Sequence, residues 1–131
     1  MIKASDLSVM VAVRLTPISK IVYTALHAMG VRDILVVNDM RQVESSFRHQ
    51  DPDVLIVLVE DAAKSDPGLT VSRRMRAPTS PNRYIPIVAV STAGTMSAVR
   101  ASINAGIHEF VAMPLSADML YRKMMHSIFV G

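Results

Sequence analysis

Two neighbouring stretches, IPIVAVST (85–92) and INAGIHEFVAMPLSADML (103–120), decide the reading of this chain. The first is a short apolar, β-branched run that ends in two hydroxyl residues, Ser91 and Thr92, as expected of a strand buried on both faces. The second closes a helix of about 95–105 on Gly106 and then forms a strand near 110–112. After it come Met113 and a breaking Pro114, and a last helix opens behind Ser116, a good N-cap. Strand, helix, strand and helix in this order, with short joints, are the units of a parallel sheet.

The pattern extends towards the N-terminus. Strands are expected near 8–13, 34–38 and 54–59, in addition to those at 87–91 and 110–112. The first helix is expected to begin with Thr16 as its N-cap and Pro17 at its first position, and to end at Gly30. Its apolar residues Ile18, Ile21, Val22, Ala25, Leu26 and Met29 recur at three and four, which gives one buried face. Helices over about 40–49 and 69–76 follow, and Pro78 and Pro81 turn "APTSPN" into an exposed loop. Five strands alternating with helices predict an α/β, doubly wound, five-stranded parallel sheet, with the whole of 1–131 as one domain. Ligands of such sheets sit beyond the C-terminal ends of the strands, so Val13, Arg14, Glu60, Asp61, Ser91, Thr92, Met113 and Pro114 are the residues to examine.

Composition narrows the possibilities. Half of the 131 residues are apolar and only 5% are aromatic, so the core must be aliphatic and rich in the ten methionines. The longest apolar run, VLIVLV (54–59), is far short of the roughly 20 residues that span a bilayer. The N-terminus lacks the pattern of a secretory signal, and a cytoplasmic location is expected. The absence of cysteine excludes disulfides, thiol catalysis and Cys-ligated zinc. His27, His49, His108 and His126 are scattered and are expected at the surface or at helix ends, so no metal site is expected of them. The net charge is +3, with arginines gathered in SRRMRAPTSPNR (72–83). No aromatic interleaving or reading-helix pattern accompanies them, so a solvated face is expected there rather than a nucleic-acid site.

The order of elements, together with IPIVAVST, INAGIHEFVAMPLSADML and RLTPISKIVYTALHAMGVRDI (14–34), resembles the receiver domains of response regulators, in the single-domain chemotaxis-regulator style. The resemblance covers almost the whole chain and is most specific from SPNRYIPI (80–87) onward. It implies flavodoxin-like topology with strand order 2-1-3-4-5. It also implies a site in which an acidic pair after the first strand holds Mg²⁺, an aspartate after the third accepts a phosphoryl group, and a lysine before the last proline neutralises its oxygens. Phosphoryl transfer needs such groups because it depends on positioning and charge neutralisation.

In this chain the acidic-pair positions fall on Val13 and Arg14, and the lysine position falls on Met113. Valine cannot ligate Mg²⁺, and a guanidinium beside it repels the ion. The phosphoacceptor position falls on Leu58 or on Glu60, according to the direction of counting, with Asp61 adjacent. Ser91 matches the hydroxyl that senses the phosphoryl group, Phe110 the aromatic that packs with it, and Pro114 the proline whose preceding peptide is cis in the family. Each has a plainer reading too: Ser91 as a small strand-ending residue, Phe110 as core.

Arg14 stands either as a cation that replaces the metal by pairing with Glu60 or Asp61, or as an arginine reaching water from a strand end. Lys64, in AAKSDPG (62–68), is either a second substitute cation or simply solvated. The expectation is a degenerate pseudo-receiver with no cofactor and no enzymatic activity, acting through protein–protein contacts. The expected partner is a histidine kinase, a phosphotransfer protein or an output protein, met through the face of the fourth helix, fifth strand and fifth helix, where homodimerisation is also expected. Neither nucleic-acid binding nor membrane insertion is expected. The alternatives are an unconventional phosphoacceptor modified at Asp61 or nearby and a flavodoxin-like binder of a small ligand. Against the latter, RLTP lacks the small residues that cradle a phosphate.

Overall fold

A computed structural model of the chain describes residues 2–61 and 65–130, which places Lys64 outside the described residues. The strands are β1 (Ser8–Ala12), β2 (Asp33–Val37), β3 (Val54–Leu58), β4 (Ile87–Ser91) and β5 (Glu109–Ala112). They form one parallel sheet in the order β2-β1-β3-β4-β5. The helices are α1 (Thr16–Met29), α2 (Val43–Gln50), α3 (Pro67–Arg76), α4 (Met96–Asn104) and α5 (Ala117–Val130).

Strand burial explains the sequence pattern. β3 and β4 are buried along their whole length because helices cover both faces of the sheet, so their residues run apolar without alternation. The side chains nevertheless alternate between two cores. Val9, Val11, Val13, Val54, Ile56 and Leu58 pack on the side of α1 and α5. Met10, Ala12, Leu55, Val57, Val59 and Ala89 face α2, α3 and α4. Fully buried Met10, Met75 and Met124 fill gaps in this aliphatic interior.

Helix boundaries follow local chemistry, with two departures from the sequence-based expectation. Thr16 is not the N-cap of α1: Leu15 holds that position without a side-chain cap, and Thr16 is already helical. Its carbonyl instead accepts the Ser19 hydroxyl at 2.9 Å. The chain over 40–49 is not one helix either, because Met40–Gln42 forms a 3-10 turn before α2. The Asp39 carboxylate accepts the Arg41 amide there and closes the tighter turn. Gly30, as expected, ends α1 in the left-handed region at φ 100°. Thr95 caps α4 through the Ala98 amide, and Ser116 accepts the Met119 amide at the start of α5.

Candidate functional site

The crevice beyond the strand ends is built from the β1–α1, β3–α3, β4–α4 and β5–α5 joints. Val13 extends the β1 ladder by one residue, its amide donating to the Val37 carbonyl and its carbonyl accepting the Asn38 side-chain amide at 2.9 Å. Its side chain is fully buried in the core on the α1 side. Of the two expected acidic-pair positions, only Arg14 therefore reaches the mouth, and its side chain is mostly exposed.

Leu58 and Glu60 share one face of the β3 alternation, and it is the end of the strand at Leu58 that separates the two candidate phosphoacceptor positions. Leu58 is buried among Val11, Val13 and Val90. Glu60 emerges at the mouth, where its Oε1 lies 3.8 Å from Arg14 Nη2. The partner of Arg14 recorded in the structure is thus Glu60, 46 positions away in the chain. At that distance and exposure the pair contributes on the order of 0 to 1 kcal/mol. Asp61 is exposed beside it.

A residue absent from the sequence reading organises this loop. Asp66 is 5% exposed, and its carboxylate accepts four backbone amides. Oδ1 takes those of Gly68 and Leu69, which caps α3 and starts it at Pro67 rather than at Leu69. Oδ2 takes those of Glu60 and Asp61, which joins the end of β3 to the start of α3. The signal was legible as Asp-Pro-Gly (66–68), an N-cap followed by proline at the first helical position. Gly68 has a further reason to be glycine: a Cβ there would lie 2.0 Å from the Leu58 carbonyl oxygen. With α3 so close, Ala12, Arg14, Leu58, Glu60 and Gly68 enclose a space of only about 10 Å³, room for one water.

On the other side of the crevice, Ser91 is fully buried and its hydroxyl accepts the amides of Ala93 and Gly94 at 3.2 and 3.5 Å. It forms a hydroxyl turn that shapes the β4–α4 joint. Phe110 is half-buried and packs against the core under α4. Met113 is half-buried, its amide donates to the Ser91 carbonyl, and the peptide joining it to Pro114 is cis.

These residues do not fit Mg²⁺. Val13 is turned into the core, the neighbouring position carries a cation, and among the described residues no group of three or more His, Asp or Glu could hold a metal ion. The histidine expectation needs one correction. His108 is not a helix-end residue: it immediately precedes β5, half-buried, its Nδ1 2.9 Å from Arg76 Nη2 and 3.2 Å from the Ile87 amide. Burial, then the Arg76 charge, holds its pKa below the usual histidine value, against an opposing pull from Glu109.

No protein-family model and no curated protein matches the sequence. Solved structures do share the fold. A protein assigned as a response regulator from Chloroflexus aurantiacus J-10-fl superposes with a TM-score of 0.81 at 18% identity, covering 94% of this chain and 98% of that one. The signal receiver domain of a modulated diguanylate cyclase from Desulfovibrio desulfuricans G20 gives 0.74 at 18% identity, covering 95% of each. The chemotaxis response regulator CheY4 of Vibrio cholerae gives 0.72 at 17% identity, covering 92% and 98%. The fold is that of response-regulator receiver domains, with the strand order their resemblance implied. Among the described residues no helix is long and apolar enough to cross a membrane.

Proposed function

We propose that this chain is a degenerate receiver that works as a protein-interaction module in two-component signalling, without aspartyl phosphorylation. One observation carries the reading: the mouth beyond β1 and β3 holds the Arg14–Glu60 pair where the chemistry would need carboxylates and a metal. A buried Val13 and a Met113 in the lysine position remove one metal-ligand position and the lysine that would neutralise a transferring phosphoryl. Signalling then rests on a surface rather than on a switch.

The surface that suits this role is formed by α4, β5 and α5. A groove of about 310 Å³ lies between Ile103, Phe110 and Lys123. Ile103, one of its walls, is an exposed apolar side chain. Glu109 at its edge is held by Lys123 at 3.6 Å and His126 at 3.2 Å. An apolar centre with a polar rim is the anatomy of a modest protein interface. A histidine kinase, a phosphotransfer protein, an output protein or a second copy of the chain would dock here.

The test is incubation with a small phosphodonor and Mg²⁺, read by intact mass, alongside a Mg²⁺ titration. The expected result is no adduct and no Mg²⁺ binding. A Mg²⁺-dependent adduct mapped to Asp61 would restore the alternative of an unconventional phosphoacceptor.

A further inference from the structure

Between Asp66 and Glu109 the chain carries five arginines and no aspartate, glutamate or lysine. That segment is +5 in a chain of net +3, so the remainder is net negative. The segment comprises α3, the 77–86 loop, β4 and α4, and its two helices lie on the sheet face that they share with α2. The acidic side chain that α2 brings to it is Glu44, 3.9 Å from Arg74 in an exposed pair.

The arginines do different work. Arg76 is a structural clamp: its guanidinium donates to the carbonyls of Gly106 and Arg83 and meets His108, so it fastens the loop to the α4–β5 turn. Arg83 donates to the Pro78 carbonyl and lies 4.8 Å over the ring of Tyr84, which is 78% exposed. The solvated basic loop is thus accompanied by one stacked aromatic, adjacent to Arg83 in sequence. Next to it, Arg48 and Arg74 line a cavity of about 420 Å³ together with Glu44, Thr79, Ser80 and Asn82. Arg48 makes no ion pair among the described residues.

Arginines in the last turns of α2 and α3 also favour the helix dipoles. That accounts for their position near the helix ends. It does not account for Arg83 and Tyr84 in the loop, or for the absence of any acid over the whole segment. Arginine and tyrosine are the residues that anchor protein interfaces, and guanidinium groups take carboxylates bidentately.

We infer that the α2–α3 cavity and the adjoining Arg83–Tyr84 loop form a second docking surface, which takes an acidic segment of a partner protein. Carboxylates of the segment enter between Arg48 and Arg74, with Thr79, Ser80 and Asn82 as hydrogen-bonding walls, and the chain continues over Tyr84. This surface is separate from the α4–β5–α5 groove and does not depend on the loss of phosphorylation.

The experiment titrates isotope-labelled protein with a synthetic Asp/Glu-rich peptide at low ionic strength, and in parallel with a single-stranded DNA oligonucleotide. The expected result is peptide-dependent amide shifts at residues 74–84, with affinity falling about fivefold for each of Arg48→Ala, Arg74→Ala and Arg83→Ala, the equivalent of about 1 kcal/mol. Arg122→Ala, on α5, should leave binding unchanged. Absence of peptide binding, or binding indifferent to the three substitutions, overturns the inference. So does tighter binding of the oligonucleotide through the same residues, which would assign the surface to nucleic acid instead.

Discussion

The Asp66 carboxylate accepts the Glu60 amide at 2.9 Å while it caps α3 through Gly68 and Leu69. One buried acid thus fixes both walls of the crevice. In a loop that would otherwise leave four amides unsatisfied, this carboxylate sets where Glu60 stands, and Glu60 in turn faces Arg14.

Asp66→Ala should therefore cost about 2 to 3 kcal/mol, from the lost cap and the amides left unpaired. Urea unfolding of the variant checks this. A loss below about 0.5 kcal/mol would mean that water replaces the carboxylate without difficulty.

Gly68→Ala should be worse tolerated than its small size suggests, because the new Cβ would lie 2.0 Å from the Leu58 oxygen and 2.8 Å from its carbon. Backbone must move, so a cost of about 3 kcal/mol or more is expected, read by urea unfolding and as a lowered thermal midpoint.

The Arg14–Glu60 pair should be nearly neutral for stability. A double-mutant cycle with Arg14→Ala and Glu60→Ala should give a coupling below about 1 kcal/mol, smaller still at high salt. A larger coupling would mark the pair as a structural fastening of the two loops.

Acid should weaken the Arg76–His108 cluster. The folded-state pKa of His108 is depressed, so the unfolded chain binds the proton more readily once the pH falls below the ordinary histidine value. Stability contributed by neutral His108 is present above that value and is lost as the pH falls towards the folded one. The urea midpoint should drop from neutral pH to pH about 5 in the native protein, and drop less in His108→Gln.

Ser91→Ala removes a buried acceptor used by Ala93 and Gly94. About 1 kcal/mol should be lost in urea unfolding. A much smaller loss would show that the hydroxyl does not shape the β4–α4 joint.

The sequence by itself determined the sheet, the number of strands and the placement of most helices. Those features are written in local patterns: unbroken apolar runs such as VLIVLV, the three-and-four spacing in α1, and the stops at Gly30, Gly106 and Pro114. It also located the strand ends that line the crevice, and the mismatch at Val13, Arg14 and Met113 was visible without coordinates. What it left open was which side chains meet. Leu58 and Glu60 lie in the same phase of β3 and differ in burial: the strand ends at Leu58, which the sheet packs into the core, and Glu60 stands beyond it at the mouth. The Arg14–Glu60 pair, the four amides on Asp66 and the Arg76–His108 contact all depend on chain ends and turns being brought together by that sheet. Only tertiary packing could decide them, because the energies that select such contacts lie in burial and distance, neither of which has a period along the chain.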